Sequence, residues 1–381
     1  MKNIRTSITN KHRDSWVEVN LEYLEENISK IKEQIKDVNS KNLVAVIKAD
    51  GYGHGSVMIA PILLACGIKA FGVASVDEGI DLRENKINCP ILVLGAVPVW
   101  AFETALNYDI EISVFNDEHI EALKMLYERT GKKLKVQVKV DTGMNRIGIN
   151  YKEAPKFIEK LRNAEFAELK GVFTHFADAE NPEILKMQLD KFNYVIDNID
   201  TENLMIHCQN SIGAFLLDDK RYNTIRLGII IYGMTPLTDG IEPVCKIPDI
   251  KQLMSVKGRI TNIHTIKKGD GVSYGYKFIA DKDIKVATIP IGYADGVSRN
   301  LSNKIQGLIN GKFIKQIGRI TMDQMMFDIS DIDAEIGDII TILGYDNNNF
   351  ISVDSWAKIL GTINYELTCR LKVRLPRVYV R

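Results

Sequence analysis

The chain is short of cysteine, of long apolar runs and of net charge, and each shortage removes a class of protein. Five cysteines, Cys66, Cys89, Cys208, Cys245 and Cys369, are scattered over 381 residues and form no C-x-x-C pair. An odd number at such spacings speaks against a disulfide framework or a zinc ribbon and suits reduced thiols in a cytosol. No stretch approaches the roughly 18 apolar residues of a membrane span. Met1 to Ser15 is polar and has no apolar signal-peptide core, so a cytoplasmic location is expected and a membrane partner is not. Lysine plus arginine equals aspartate plus glutamate at 49 each, so no overall field draws the chain to nucleic acid. The histidines show neither H-x-x-x-H nor H-E-x-x-H spacing, and no metal is expected. There is no G-x-x-x-x-G-K-[ST] loop, and Gly51-x-Gly53-x-Gly55 is not the dinucleotide fingerprint.

What is present is a regular alternation. Strand-like runs at Leu43–Ala49, Ala70–Ser75, Ile91–Gly95, Ile112–Phe115, Lys135–Asp141, Leu169–Phe176, Leu204–Cys208 and Ile225–Tyr232 read as eight strands. A short strand at Trp16–Val19 and a helix at Leu21–Ile35 precede them. Amphipathic stretches near 56–66, 77–85, 98–107, 117–130, 151–163, 183–199 and 211–217 predict helices between them. Eight β-α units predict an α/β fold with a closed (β/α)8 barrel, an open doubly wound sheet being the alternative. Beyond about residue 245 the texture turns to short β segments and turns, among them Asn310-Gly311, a hairpin signal. Only one helix, Val353–Leu360, stands out there. The expected division is a barrel over 1–245, the first 15 or so residues packing on the second domain, and a β-rich domain over 246–381.

A barrel carries its chemistry where its strands end. The first run ends at Lys48, which needs a reason, because an unpaired buried ammonium is costly. A desolvated lysine is how a Schiff-base nucleophile is made; a snorkelling or ion-paired lysine is the commoner case. The fifth run ends in Lys139-Val140-Asp141-Thr142-Gly143-Met144-Asn145-Arg146, the sixth in Thr174-His175-Phe176, and the seventh in His207-Cys208-Gln209-Asn210-Ser211. The eighth carries Arg226-Leu227-Gly228-Ile229. Barrels often bind phosphate with the loops after strands seven and eight, which here offer Asn210, Ser211 and Gly228. A phosphate site facing a strand-end lysine points to pyridoxal phosphate, with Arg226 as partner of the pyridine nitrogen. Taken singly, Asn-Ser is also a common N-cap pair, Arg226 an ordinary ion-pair residue and His175 a core histidine.

The segments together resemble the alanine racemase family, fold-type III among pyridoxal-phosphate enzymes. AVIKADGYGHG, KVDTGMNRIG, THF, NS, RLGIIIYG, GVSYG, IGYADG, GRITMDQ and NYE follow in the family's order from Val17 to Tyr379. The resemblance implies a barrel plus a β domain, racemisation of alanine, a supply of D-alanine for peptidoglycan, and a head-to-tail homodimer with a shared active site. It implies that Lys48 holds the cofactor as a Schiff base, and that Tyr52, Asn210, Ser211, Gly228, Ile229 and Tyr365 surround the phosphate. Arg226 would face the pyridine nitrogen with His175 beside it. Arg146 would reach the cofactor's phenolic oxygen and the substrate carboxylate, oriented by Lys139, often carbamylated in the family. Tyr274 would be the second catalytic base, supplied by the partner subunit, with Met322 and Asp323 lining the substrate pocket from the same side.

One departure is visible: Thr321 stands where many members have cysteine, beside the pocket. Tyr365 argues for a small substrate, since relatives acting on serine carry a smaller polar residue there. The alternatives are a serine or broad-specificity racemase, or a decarboxylase on the same plan. The decarboxylase needs an acidic partner for the ring nitrogen, which Arg226 is not.

Overall fold

The computed structural model describes residues 12–235, 245–371 and 373–381. Eight parallel strands, Asn42–Val46, Ala70–Val73, Ile91–Ala96, Glu111–Val114, Leu134–Asp141, Ala167–Phe173, Met205–His207 and Thr224–Leu227, run in chain order around a nearly closed barrel. The eighth pairs with the first, Thr224 opposite Asn42 and Leu227 opposite Ala45. The seventh and eighth are joined by the Arg226 N–H to the Gln209 carbonyl at 3.1 Å. Most of the runs are largely apolar because these strands are covered on both faces, whereas the fifth alternates Lys135, Gln137, Lys139 and Asp141 with buried valines. Helices follow where amphipathic spacing predicts them. Asp117–Thr130, for example, starts on Asn116, whose side chain accepts from the His119 N–H, and ends at Gly131 with φ +66°.

Two of the runs continue past their strand into a helical turn. The first strand stops at Val46, before Lys48. The eighth stops at Leu227, and Ile229–Tyr232 is a 3-10 turn. An unbroken apolar run has no periodicity to separate a buried strand from a buried helical turn.

The second domain is built on a sheet in which Ser15–Asn20 lies between Met254–Arg259, antiparallel to it, and Arg377–Val380, parallel to it. Val17 and Val19 of that strand are fully buried. The expectation that the first residues pack on this domain falls mostly on residues 1–11, outside the described residues. The end of the barrel's expected range falls on 236–244, also outside them. Asn310-Gly311 forms a two-residue hairpin, both residues at positive φ, between paired Ile309 and Lys312. A second helix, Asn364–Arg370, follows Val353–Leu360 and carries Tyr365 to the barrel. No helix among the described residues is long and apolar enough to cross a membrane.

Candidate active site

The site begins with a turn of the wrong hand. Ala49, Asp50, Gly51, Tyr52 and Gly53 all have positive φ, from 53° to 84°. Left-handed backbone costs a residue with a Cβ about 1–2 kcal/mol, and here three such residues adopt it in one turn. Their partners overdetermine it. Gly51 N–H donates to the Ile47 carbonyl at 2.8 Å, Gly53 N–H to the Ala49 carbonyl at 2.9 Å and Gly55 N–H to the Asp50 carbonyl at 2.8 Å. The Glu78 carboxylate accepts from the N–H groups of Ala49 and Ala74, each at 2.7 Å, clamping the ends of the first two barrel strands together. Buried His54 donates from Nδ1 to the Gly51 carbonyl at 2.9 Å. Strain held this firmly marks a position where the backbone serves a site.

The turn brings Tyr52 under the barrel mouth. Its ring packs on Tyr232, centroids 5.1 Å apart, and near Tyr365 at 6.0 Å. A Cβ at Gly228 would lie 3.3 Å from Tyr52 Oη and 3.7 Å from Ser211 Oγ. Gly228 N–H donates to Ser211 Oγ at 3.0 Å. Two hydroxyls and a glycine backbone thus converge in a cradle that a side chain at 228 would fill. Burial pushes the phenols of Tyr52 and Tyr365 up, so both stay neutral donors. Ile229, buried, opens the 3-10 turn beside the cradle. The Asn210 side-chain oxygen accepts from Gly213 N–H at 2.9 Å, so it caps the short helix Gly213–Leu216. Hydroxyl and backbone donors are what a phosphate monoester takes, and this cradle fits the phosphate of pyridoxal phosphate.

Arg226 lies across the barrel interior, 3% exposed. Its acceptors are His207 Nδ1 at 2.7 Å, the Thr174 carbonyl at 2.7 Å, the His207 carbonyl at 3.1 Å and the Cys208 carbonyl at 3.3 Å; His175 Nδ1 is 3.4 Å away. None is a carboxylate. Burial lowers its pKa to about 10. Cation crowding is the theme of this wall. Lys139, 4% exposed, sits 5.0 Å over the Phe173 ring, and burial with Arg226 and Arg146 nearby pushes its amine far down. His175 is driven toward neutrality by burial, then Arg226, Lys139, Arg146 and Lys48. Burial and Arg146 also lower Lys48, against the opposing pull of Glu78 and Cys369. A lowered lysine pKa favours the nucleophilic form of the amine.

The fold therefore collects Lys48, Tyr52, Lys139, His175, Ser211, Arg226, Gly228 and Tyr365 in one region, with Arg146 exposed at its edge. Asn210 and Ile229 flank the cradle, and Tyr274, Met322 and Asp323 lie on the surface of the β domain. Tyr274 is 68% exposed, in a turn between Ser273 and Gly275, both at positive φ. Met322 is 52% exposed, and Asp323 is bound to Arg374 at 2.6 Å. Sequence reasoning gave His207 no role and passed over Glu78, Glu111 and Gln137. For the last two the sequence holds little signal: Glu111 stands just before an apolar run, and Gln137 is one of the polar residues that alternate with valines in its strand.

Comparison with known proteins agrees with this geometry. The family model for the alanine racemase N-terminal domain matches residues 19–236, and that for the alanine racemase C-terminal domain matches residues 253–379. The chain is 39% identical to an alanine racemase of Clostridium novyi, over 97% of each chain. It is 38% identical to alanine racemase 2 of Oceanobacillus iheyensis, over 98% of this chain and 95% of the relative. The solved structure of alanine racemase from Clostridium difficile 630 superposes with a TM-score of 0.89 at 36% identity, covering 97% of both chains.

Proposed function

The chain belongs to the alanine racemase family, pyridoxal-phosphate-dependent isomerases, and from that premise we propose that it interconverts L- and D-alanine by two bases on opposite faces of Cα. The observation that carries the reading is the cradle of Tyr52, Ser211 and Gly228 set between Lys48 and a buried Arg226 that meets no carboxylate. When bound, pyridoxal phosphate supplies an aldehyde that condenses with amines and a ring that acidifies the Cα–H bond.

The residues divide that work. Lys48 would be the amine that holds the cofactor, and its Nζ would carry the proton on one face of Cα. Its lowered pKa keeps a lone pair available nearer neutral pH. Tyr52, Ser211, Tyr365 and the backbone at Gly228 and Ile229 hold the phosphate, and Asn210 shapes the loop that presents Ser211. Arg226, a cation with no acidic proton to spare, leaves the ring nitrogen unprotonated, which discourages side reactions at the cofactor's own carbon. His175 shares that wall. Arg146 takes the substrate carboxylate. Lys139, pushed toward the neutral amine, is the form that adds carbon dioxide, and a carbamate there would return a negative charge to a wall of cations.

The second face is served by the partner subunit's Tyr274, with the partner subunit's Met322 and the partner subunit's Asp323 beside it. The exposure of Tyr274 and Met322 supports a homodimer in which each copy completes the other's site. Tyr365, crowding the cradle, favours alanine over serine, and the product serves peptidoglycan synthesis in the cytoplasm. The test incubates purified protein and pyridoxal phosphate with L-alanine and L-serine, followed by chiral analysis. D-alanine is expected in excess over D-serine; no D-isomer from either overturns the reading. Tyr274→Phe is expected to lose solvent proton exchange from one enantiomer far more than from the other, and equal loss for both overturns the two-base assignment.

A further inference from the structure

Arg226 is the end of a line of hydrogen bonds that crosses the barrel. Arginine only donates, so His207 Nδ1, 2.7 Å from Nη1, must accept. The His207 proton is then on Nε2, which donates to Gln137 Oε1 at 2.7 Å. That fixes the Gln137 amide, whose Nε2 donates to Glu111 Oε2 at 2.6 Å. Every donor and acceptor follows from the one fact that a guanidinium has no lone pair to offer. The four residues come from the eighth, seventh, fifth and fourth strands, and all are 3% exposed or less.

The sixth strand is shaped around this line. A Cβ at Gly171 would fall 2.6 Å from the Met205 carbonyl oxygen and 2.8 Å from Gln137 Oε1, so glycine leaves room for the neighbouring strand and for the amide together. Two residues on, Phe173 stacks on His207 with centroids 4.9 Å apart and planes 8° from parallel, and lies 5.5 Å from the Arg226 guanidinium carbon. The imidazole is thereby held in the plane the relay needs.

We propose that Glu111 is a positioning residue for the cofactor's ring nitrogen, acting through Gln137 and His207 on Arg226. This rests on the reading of Arg226 as the partner of that nitrogen. The Glu111 carboxylate polarises the amide, the amide raises the acceptor strength of His207, and His207 draws on the Nη1 proton. Arg226 is left a weaker donor toward the ring. Burial raises the Glu111 pKa, against the smaller opposing pull of the Gln137 amide, Lys170 and Lys135, and Asp109 adds to the rise.

The test uses holoenzyme reconstituted with pyridoxal phosphate labelled with nitrogen-15 at the ring nitrogen. Glu111→Gln keeps the shape and removes the charge. The expected result is a ring-nitrogen resonance displaced toward the hydrogen-bonded side, kcat lower by about tenfold with KM for alanine within about twofold, and a displaced His207 Nδ1 resonance in the cofactor-free protein. Gln137→Met, which severs the line while leaving Glu111 in place, is expected to displace the ring nitrogen in the same direction. Resonances that stay put in both variants, whatever the melting temperatures do, overturn the proposal. Arg226→Lys separates the two ideas. If it moves the ring nitrogen and Glu111→Gln does not, the relay is wrong; if Arg226→Lys does not move it either, the reading of Arg226 is wrong.

Discussion

Gly53 lies so close to Thr368 that a Cβ on the glycine would stand 2.3 Å from the Thr368 carbonyl oxygen. This contact joins the left-handed turn after Lys48 to the helix that carries Tyr365. Arg377 fastens the same junction, donating to the Gly53 carbonyl at 3.1 Å and to the Leu371 carbonyl at 2.7 Å. Lys48 and Tyr365 are therefore set relative to one another by a backbone contact that the Arg377 side chain bridges.

Gly53→Ala is expected to cost about 2–4 kcal/mol, the sum of left-handed strain and a collision with rigid backbone. Gly131 is the control. It too has positive φ, +66°, but a Cβ there meets nothing within 4 Å, so Gly131→Ala should cost only about 1 kcal/mol. Denaturant unfolding of the two variants checks this, and equal losses would show that the Thr368 contact is immaterial.

Glu78 has two separable tasks, and two substitutions divide them. Glu78→Ala leaves the Ala49 and Ala74 N–H groups without their acceptor and should destabilise by about 1–3 kcal/mol. Glu78→Gln retains one acceptor and removes the charge that raises the Lys48 pKa. The Lys48 pKa should then fall further. The acidic limb of the pH profile for cofactor capture by the cofactor-free protein is expected to move to lower pH. A limb that moves up, or stays, contradicts the electrostatic role.

How much of this was legible differs by region for physical reasons. The eight strands were, most because burial on both faces writes an apolar run and the fifth because its polar residues alternate with valines. The hairpin at Asn310-Gly311 was, because its positive φ angles call for those residues. The turn after Lys48 was not. Its glycines hinted at a bend, but Ala49, Asp50 and Tyr52 have Cβ atoms, and their strain is repaid by Glu78, Arg377 and Thr368, which lie far off in sequence. Helix Asn364–Arg370 was missed because it is seven residues long and has no side-chain cap at its start. Asn210 could be read as a ligand contact or as a cap, and only coordinates show its oxygen on Gly213. The line from Glu111 to Arg226 draws one residue from each of four strands, a pattern that exists only once the barrel has closed.

Stability should fall as the solution is acidified below the ordinary histidine range. Burial lowers the His54 pKa from 6.5 to about 4. Between those values the unfolded chain binds a proton that the folded chain refuses, so folding loses up to about 3 kcal/mol from this residue as pH drops through the window. His175 and His207 are shifted the same way and steepen the loss. Above pH 6.5 none of the three contributes a slope. His54→Asn can offer an N–H near the Nδ1 position without titrating. Melting temperatures of that variant are expected to vary less between pH 6.5 and 4, and an unchanged slope would remove His54 from the account.

Arg374 offers a way to move the substrate side of the site without unfolding the domain. Asp295 is fully buried and holds Gly292 N–H at 2.9 Å, while both guanidinium nitrogens of Arg13 bond to its carboxylate. Breaking such a pair strands a charge, so Asp295→Ala should cost about 3–5 kcal/mol. Arg374 stands 3.6 Å from the same carboxylate, but its firmer hold is on Asp323 at 2.6 Å, and that pair is half exposed. Its loss should change stability by no more than about 1 kcal/mol. If Asp323 lines the pocket of the partner subunit, Arg374→Ala lets it swing and raises KM for alanine with kcat nearly constant. Steady-state kinetics in both directions, alongside denaturant unfolding, give the split. An unchanged KM would place Asp323 outside the pocket, and a fall in kcat alone would mean that Arg374 acts on the reacting groups rather than on binding.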